Sequence, residues 1–220
     1  MHTLGHYLYK ARKALTALLV SSVFPYRQSR IADQRWEREY TTGHWDYLRT
    51  LEQAARYQVI AGYVQHFAPG GSVLDVGCGD GHLQEILARA GYERYLGLDL
   101  SSEAIRRAAS RGDERTDFRQ VEVDELETDE RFDVVVFNEV LYYLAAPMEV
   151  LDRYERFLTP EGIFVASIHG ARPWNRRLWK MIARRYPTLD QVEVSHGSGK
   201  FWTIKVLSPK ERADGPSQGT

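Results

Sequence analysis

Val73-Leu-Asp-Val-Gly-Cys-Gly-Asp-Gly-His82 decides how this chain is read. Ser72-Val-Leu-Asp-Val76 is an apolar run with the length of a buried strand. It ends in a turn where Gly77, Gly79 and Gly81 alternate with Cys78 and Asp80. Glycines at that spacing admit positive φ and clear side chains from the backbone, so the main chain can approach a ligand closely. The helix beginning near His82 aims its N-terminus at the same place, the carboxyl end of the strand, where open α/β sheets bind ligands. A dinucleotide site is the rival reading. Its fingerprint spaces three glycines as G-x-G-x-x-G, whereas this turn is G-x-G-x-G with Asp75 two residues upstream.

Outward from that turn, residues 69–168 alternate short apolar runs with amphipathic stretches, the pattern of βα units. A helix is expected from His82 to Ala90, closed by Gly91, and a second strand over Tyr95-Leu-Gly-Leu-Asp99. Ser101 is a good N-cap for the next helix, with Glu103 in its first turn. Phe118–Val121 and Asp133–Phe137 read as the third and fourth strands. Pro147 opens a helix, Pro160-Glu-Gly162 forms a turn, and Ile163–Ile168 makes the fifth strand. Val192 and Val194, then Trp202, Ile204 and Val206, alternate on either side of Gly197-Ser-Gly199, which predicts a hairpin. The sheet is therefore doubly wound α/β with antiparallel strands at its far end. Residues 1–68 read as a helical segment covering the site, 69–208 as the binding domain, and 209–220 as a disordered tail.

Composition narrows the function. The 220 residues suit one domain, and acids and bases nearly cancel at a formal charge of −1, so no nucleic-acid partner is expected. Cys78 is the only cysteine, which removes disulfides and cysteine-held zinc and points to a reducing cytoplasm. Carboxylates and histidines show no metal-ligand spacing, so no metal is expected. At the N-terminus Leu4, Tyr7, Leu8, Ala11, Leu15, Leu18 and Leu19 recur at helical spacing opposite His6, Lys10 and Lys13. That stripe reads as an amphipathic helix rather than a signal peptide, packing on the chain or a partner, or lying on an anionic membrane surface.

The string Leu74-Asp-Val-Gly-Cys-Gly-Asp-Gly81 resembles the nucleotide–methionine signature of the class I S-adenosylmethionine-dependent methyltransferases, and the likeness runs from about Tyr57 through Val206. The resemblance implies a Rossmann-like, doubly wound, mostly parallel seven-stranded sheet and S-adenosylmethionine as cofactor. It places Asp75, Gly77, Cys78 and Gly79 around the cofactor. Asp99, some twenty residues on and followed by Leu100, would accept both ribose hydroxyls. Either Glu122 or Asp124 would meet the adenine amine, with Val123 offering its N–H to a ring nitrogen. Glu122 is favoured because Asp124-Glu-Leu126 resembles the residues that usually follow the acid. Arg56 matches an arginine that in related ubiquinone-pathway O-methyltransferases holds the cofactor's carboxylate. Asn138 and Glu139 would lie beside the methionine portion.

Many relatives carry Glu-His where this chain has Tyr142-Tyr143, and that histidine is often proposed as the base. A tyrosine, titrating near 10, orients an acceptor better than it takes a proton at neutral pH. Tyr143 is retained as a catalytic candidate and Tyr142 as an acceptor contact. His169, ending the fifth strand, is the leading base candidate, with His82, His196 and His44 behind it. The aromatic stretch Tyr40–Tyr47, with Tyr40 and Trp45, would wall the acceptor pocket. Arg172, Arg176, Arg177, Lys180, Arg184 and Arg185 crowd the region after the fifth strand, as a solvated basic face or a phosphate contact.

The expected activity is methyl transfer to a small-molecule hydroxyl or amine of a biosynthetic pathway. A lipid-linked or membrane-held acceptor is the alternative. An RNA or protein acceptor ranks lower, because Asn138-Glu-Val-Leu141 lacks the N/D-P-P-Y/F motif of base-amine methylators. A non-catalytic cofactor-binding subunit ranks last.

Overall fold

Period-two alternation along the strands sorts their side chains onto two sheet faces, and each face is covered by helices. The computed structural model describes residues 30–170 and 172–209. The N-terminal apolar stripe and the tail beyond Pro209 lie outside the described residues.

In chain order the elements are α1 (Arg30–Thr41), α2 (Leu51–Phe67), β1 (Gly70–Val76), α3 (His82–Leu87), β2 (Tyr92–Asp99), α4 (Ser102–Ala109), β3 (Thr116–Gln120), β4 (Phe132–Asn138), α5 (Pro147–Tyr154), β5 (Leu158–His169), α6 (Pro173–Ala183), β6 (Thr188–Ser195) and β7 (Phe201–Leu207). The seven strands form one sheet in the order β3-β2-β1-β4-β5-β7-β6. β1 pairs in parallel with both β2 and β4, β4 with β5, and β2 with β3. β7 runs antiparallel to β5 and to β6. The expected hairpin is in register, with Val192 opposite Ile204 and Val194 opposite Trp202.

On one face Leu74, Leu96, Val135, Phe137 and Phe164 pack against Leu151 and Tyr154 of α5 and Leu178 and Ile182 of α6. On the other, Val73, Tyr95, Val134, Val136 and Val165 meet Ile60, Ala61 and Val64 of α2 and Leu83 and Leu87 of α3. A fully buried aliphatic side chain contributes about 1.5–3 kcal/mol, so both layers are indispensable. α2 therefore belongs to the core of the sheet, although it precedes residue 69.

Local signals shape the ends of the elements. Ser101 Oγ accepts from the Ala104 N–H at 3.2 Å, as an N-cap should. Pro147 begins α5. Some boundaries differ from the sequence reading. α3 stops at Leu87 rather than Ala90, because the N–H groups of Ala90 and Gly91 both fold back onto the Leu87 carbonyl at 3.0 Å. Pro160-Glu-Gly162 is not a turn before the fifth strand but an irregularity within it. Phe132 pairs with Leu158 and Val134 with Ile163, so residues 159–162 bulge from the ladder.

The strand order reverses between β1 and β4. Their carboxyl ends, Val76 and Asn138, splay apart there, and that crevice holds the site.

Candidate functional site

The turn after β1 forms the floor of a cavity at this switch point. Gly77 has φ +72° and Gly79 φ +58°, a region that costs an L side chain about 1–2 kcal/mol. Space is also absent. A Cβ on Gly77 would stand 2.3 Å from Val140 Cγ2, and one on Gly79 would stand 2.7 Å from the Tyr40 hydroxyl. The cavity is lined by Gly77, Cys78 and Gly79 from this turn, Asp99 and Leu100 after β2, Val121–Val123 after β3, and Asn138–Val140 after β4.

Asp99 ends β2 with its carboxylate fixed from two sides. Oδ2 accepts from the Gly79 N–H and Oδ1 from the Ser101 N–H, both at 2.9 Å. Burial pushes its carboxyl up to about 6, against the pull of these backbone donors. Each oxygen keeps a second lone pair, so the group presents a double acceptor to the cavity. Leu100 lines the wall beside it, and its carbonyl accepts from Gln120. Further along, Glu122 and Val123 line the cavity, whereas Asp124 is buried and does not. Cys78 lies in the floor, and burial raises its thiol well above the ordinary value, which disfavours the nucleophilic thiolate.

Among the described residues, α2 delivers the single cation that lines the cavity. Its buried stripe is Gln53, Arg56, Tyr57, Ile60, Ala61 and Val64, an i, i+3, i+4 pattern whose polar end reaches the cavity and whose apolar end packs on the sheet. Arg56 is 1% exposed. Nη1 donates to Asn138 Oδ1, Nη2 donates to Gln53 Oε1 at 3.0 Å, and the guanidinium stands 4.4 Å from the Tyr57 ring centroid. Nε has no hydrogen-bond partner, and among the described residues no carboxylate pairs with Arg56. A guanidinium buried against neutral amides calls for an anion.

Beyond Asn138 the backbone is strained: Glu139 has φ +64°. Its N–H donates to the Ser167 carbonyl and hydroxyl oxygens. Its carboxylate accepts from Ser167 Oγ at 2.8 Å and from the Tyr142 hydroxyl at 2.7 Å. Ser167 also reaches Asn138 Oδ1 at 2.9 Å. Tyr142, Tyr143, Tyr40 and Trp45 all line the cavity, joined by Trp36 and Tyr47. Trp36 stacks on Trp45 at 5.3 Å and meets the edge of Tyr143 at 5.0 Å. Burial raises the Tyr142 hydroxyl well above its ordinary value and pushes the Tyr143 hydroxyl up to about 12. Neither gives up its proton readily at neutral pH, which leaves Tyr143 to orient an acceptor rather than to act as a base.

Two expected residues stand elsewhere. Asp75 points beneath the turn, 2% exposed, where Oδ2 accepts from the Tyr95 hydroxyl at 2.5 Å. Strand alternation puts it on the α2 face with Val73, away from the cavity lining. His169 shares the parity of Val165 on β5. Its ring lies 5.5 Å from that of Trp202, its carbonyl accepts from Asn175, and it does not line the cavity. His82 likewise stands outside the lining, edge-on to Tyr57 at 4.6 Å.

The sequence reading missed Trp36, Gln53 and Tyr57. The last two were legible from helical spacing, Gln53 standing three residues before Arg56 and four before Tyr57. Trp36 carried no local signal, because only the fold of α1 over the turn brings it near. Polar contacts hold that fold. Glu37 accepts from the Ser101 and Ser102 hydroxyls at 2.8 and 2.7 Å, Arg107 reaches the Tyr40 carbonyl at 2.8 Å, and Arg49 pairs with Asp80 and Glu85 at 2.6 and 2.8 Å.

Comparison with known proteins agrees with this geometry. Residues 68–198 match a family described as a methyltransferase domain. The chain is similar to the ubiquinone biosynthesis O-methyltransferase of Actinobacillus pleuropneumoniae serotype 5b, at 32% identity over 48% of this chain and 50% of that protein. The corresponding protein of Azorhizobium caulinodans is 40% identical over 43% of this chain and 39% of its own length. The chain thus spans half or less of the length of these curated relatives. Among solved structures, N-methyltransferase NodS from Bradyrhizobium japonicum, in complex with S-adenosylhomocysteine, superposes with TM-score 0.68 at 21% identity, covering 80% of this chain and 97% of that one. The 1,6-didemethyltoxoflavin-N1-methyltransferase of Burkholderia thailandensis gives TM-score 0.68 at 19% identity, covering 82% and 88%. At such identities the superpositions speak for the fold.

Proposed function

Because the chain belongs to the methyltransferase-domain family, that of the class I S-adenosylmethionine-dependent enzymes, we propose that it methylates a hydroxyl or amine of a small molecule. The observation that carries the reading is Arg56, a buried guanidinium facing the cavity with an unpartnered Nε. It suits the carboxylate of the cofactor's amino-acid end. The residues present fit the rest of that group as well. The side-chain-free floor at Gly77 and Gly79 admits a ligand backbone-close, and the Asp99 double acceptor suits a ribose diol. Glu122 and Val123 line the cavity beyond Asp99 and suit an adenine, a carboxylate for its amine and a backbone N–H for a ring nitrogen.

When bound, S-adenosylmethionine supplies a methyl group activated on a sulfonium. What the chain contributes is position and exclusion of water. Trp36, Trp45 and Tyr143 form an apolar wall over the cavity, and α1 and the segment after it are tied down by Glu37, Arg107 and Arg49. Holding two reactants in line supplies much of the acceleration of a displacement reaction.

A second reading, a lipid-linked or membrane-held acceptor, is supported by α6. Arg176, Arg177 and Lys180 are exposed on it and Arg184 just beyond its end, and the helix packs beside the Leu141–Tyr143 turn that borders the cavity. No described helix is long and apolar enough to cross a membrane. The deciding test is transfer of a labelled methyl group into fractionated extract. Label in soluble small molecules is the expected result; label in lipid supports the second reading; label in RNA or protein overturns both.

A further inference from the structure

Among the described residues, four carboxylates line the cavity, Asp80, Asp99, Glu122 and Glu139, against the single lining cation Arg56, and neither histidine nor lysine lines it. Three of the four acids are accounted for. Asp80 is paired with Arg49 at 2.6 Å, Asp99 is held by the glycine turn, and Glu122 stands at the far end after β3. Glu139 differs in its surroundings: it is the carboxylate beside the aromatic wall. Tyr142, which donates to it, lies 4.4 Å from Tyr143, and Tyr143 packs at right angles to Trp36.

We propose that Glu139 receives the acceptor as an ammonium and takes its proton, which makes the acceptor an amine rather than an alcohol. The inference rests on the methyltransferase reading above and reassigns Glu139 from cofactor neighbour to acceptor site. Three features support it. The carboxylate is fixed by the Tyr142 hydroxyl on one oxygen and by the Ser167 hydroxyl, whose one proton is shared with Asn138 Oδ1, on the other, and each oxygen keeps a lone pair for a further N–H. The backbone at Glu139 is held at φ +64°, a conformation that costs energy for a residue with a side chain, and the residue lines the cavity. Trp36, Trp45 and Tyr143 line the cavity with electron-rich rings, which attract a cation more than they do a neutral hydroxyl.

The chemistry balances. An ammonium N–H bond breaks and its pair returns to nitrogen, while the proton forms an O–H bond on Glu139, which becomes neutral. A second positive charge in the same cavity, the sulfonium, lowers the ammonium pKa and favours this transfer. The restored nitrogen pair then forms the bond to the methyl carbon as the carbon–sulfur pair stays on sulfur. A methylated ammonium and a thioether result, and Glu139 returns its proton to water. An alkanol is too weak an acid for a carboxylate to ionise, and among the described residues the cavity lining offers no stronger base.

The test uses binding rather than turnover. The full chain, saturated with S-adenosylhomocysteine, is titrated by calorimetry with phenethylamine and with phenethyl alcohol at pH 7, as is the Glu139→Gln variant. The parent should bind the amine at least about tenfold more tightly than the alcohol, the least that a charge-assisted hydrogen bond supplies. The variant should lose that preference while its affinity for S-adenosylhomocysteine stays within about twofold of the parent's. Equal affinity of the parent for the two probes overturns the proposal and leaves the methyltransferase reading intact. So does a tenfold loss of S-adenosylhomocysteine affinity in the variant, which would return Glu139 to the cofactor site. Failure of the parent to bind S-adenosylhomocysteine would instead overturn the cofactor reading, and this inference with it.

Discussion

Replacing Asp99 with asparagine removes one acceptor from the two that the carboxylate turns toward the cavity. The Gly79 and Ser101 N–H groups occupy one lone pair on each oxygen, so the parent retains one per oxygen for a ribose diol. A hydrogen bond to a charged group is worth about 1.5–3 kcal/mol. At about 1.4 kcal/mol per tenfold, Asp99→Asn should weaken S-adenosylhomocysteine binding roughly 10- to 140-fold at pH 7.5. The carboxyl itself titrates near 6 in the free protein because it is buried. Binding that needs the ionised form is complete above that value and falls as pH drops through it. One unit below the pKa only about one molecule in eleven is ionised, so parent affinity at pH 5 should be about tenfold below its value at pH 7.5. The asparagine variant cannot titrate, and its profile over this window should be flat. Calorimetry at pH 5, 6 and 7.5, with thermal melts to confirm folding, measures both effects. A folded variant with parental affinity, or one that keeps the parent's pH slope, refutes the assignment of Asp99 to the ribose.

Other expectations follow from the same geometry. Gly77→Ala adds a Cβ 2.3 Å from Val140 Cγ2 at φ +72°. It should lose at least about 1–2 kcal/mol of stability from the backbone alone, together with cofactor binding; an unchanged urea midpoint would contradict it. Asp75 has its carboxyl pushed up to about 7 by burial, despite the Tyr95 hydroxyl that donates to it. Its folded pKa lies above the unfolded value, so this group costs stability as pH rises from about 4 to 7. Asp75→Asn should flatten that fall in urea unfolding between pH 5 and 8, by on the order of 1–4 kcal/mol, and an identical slope in parent and variant would exclude it. If α6 contacts an anionic surface, Arg177→Glu with Lys180→Glu should abolish sedimentation with anionic liposomes. Absence of sedimentation by the parent removes the membrane reading.

The sequence alone determined the parts of this protein that short-range chemistry specifies. The apolar run into Gly77-Cys-Gly79 required a strand and a tight turn, because those glycines adopt positive φ with no room for Cβ atoms. Asp99 at the end of the next strand, the Ser101 cap, Pro147 at a helix start and the Val192–Ile204 hairpin register all rest on neighbours within a few residues or on period-two alternation. Periodicity names the face a side chain takes and is silent about what stands opposite. Only the tertiary structure decided that Arg56 meets Asn138, 82 residues away, that α1 brings Trp36 over the turn, and that Tyr142 and Ser167 converge on Glu139. It also turned Asp75 and His169 from the cavity, because their strand parity, seen against the actual order of strands, points them toward the face that α2 covers. The site is assembled by contacts between distant segments, and the order in which strands lie side by side is fixed by the packing of both faces at once rather than by any one stretch of residues.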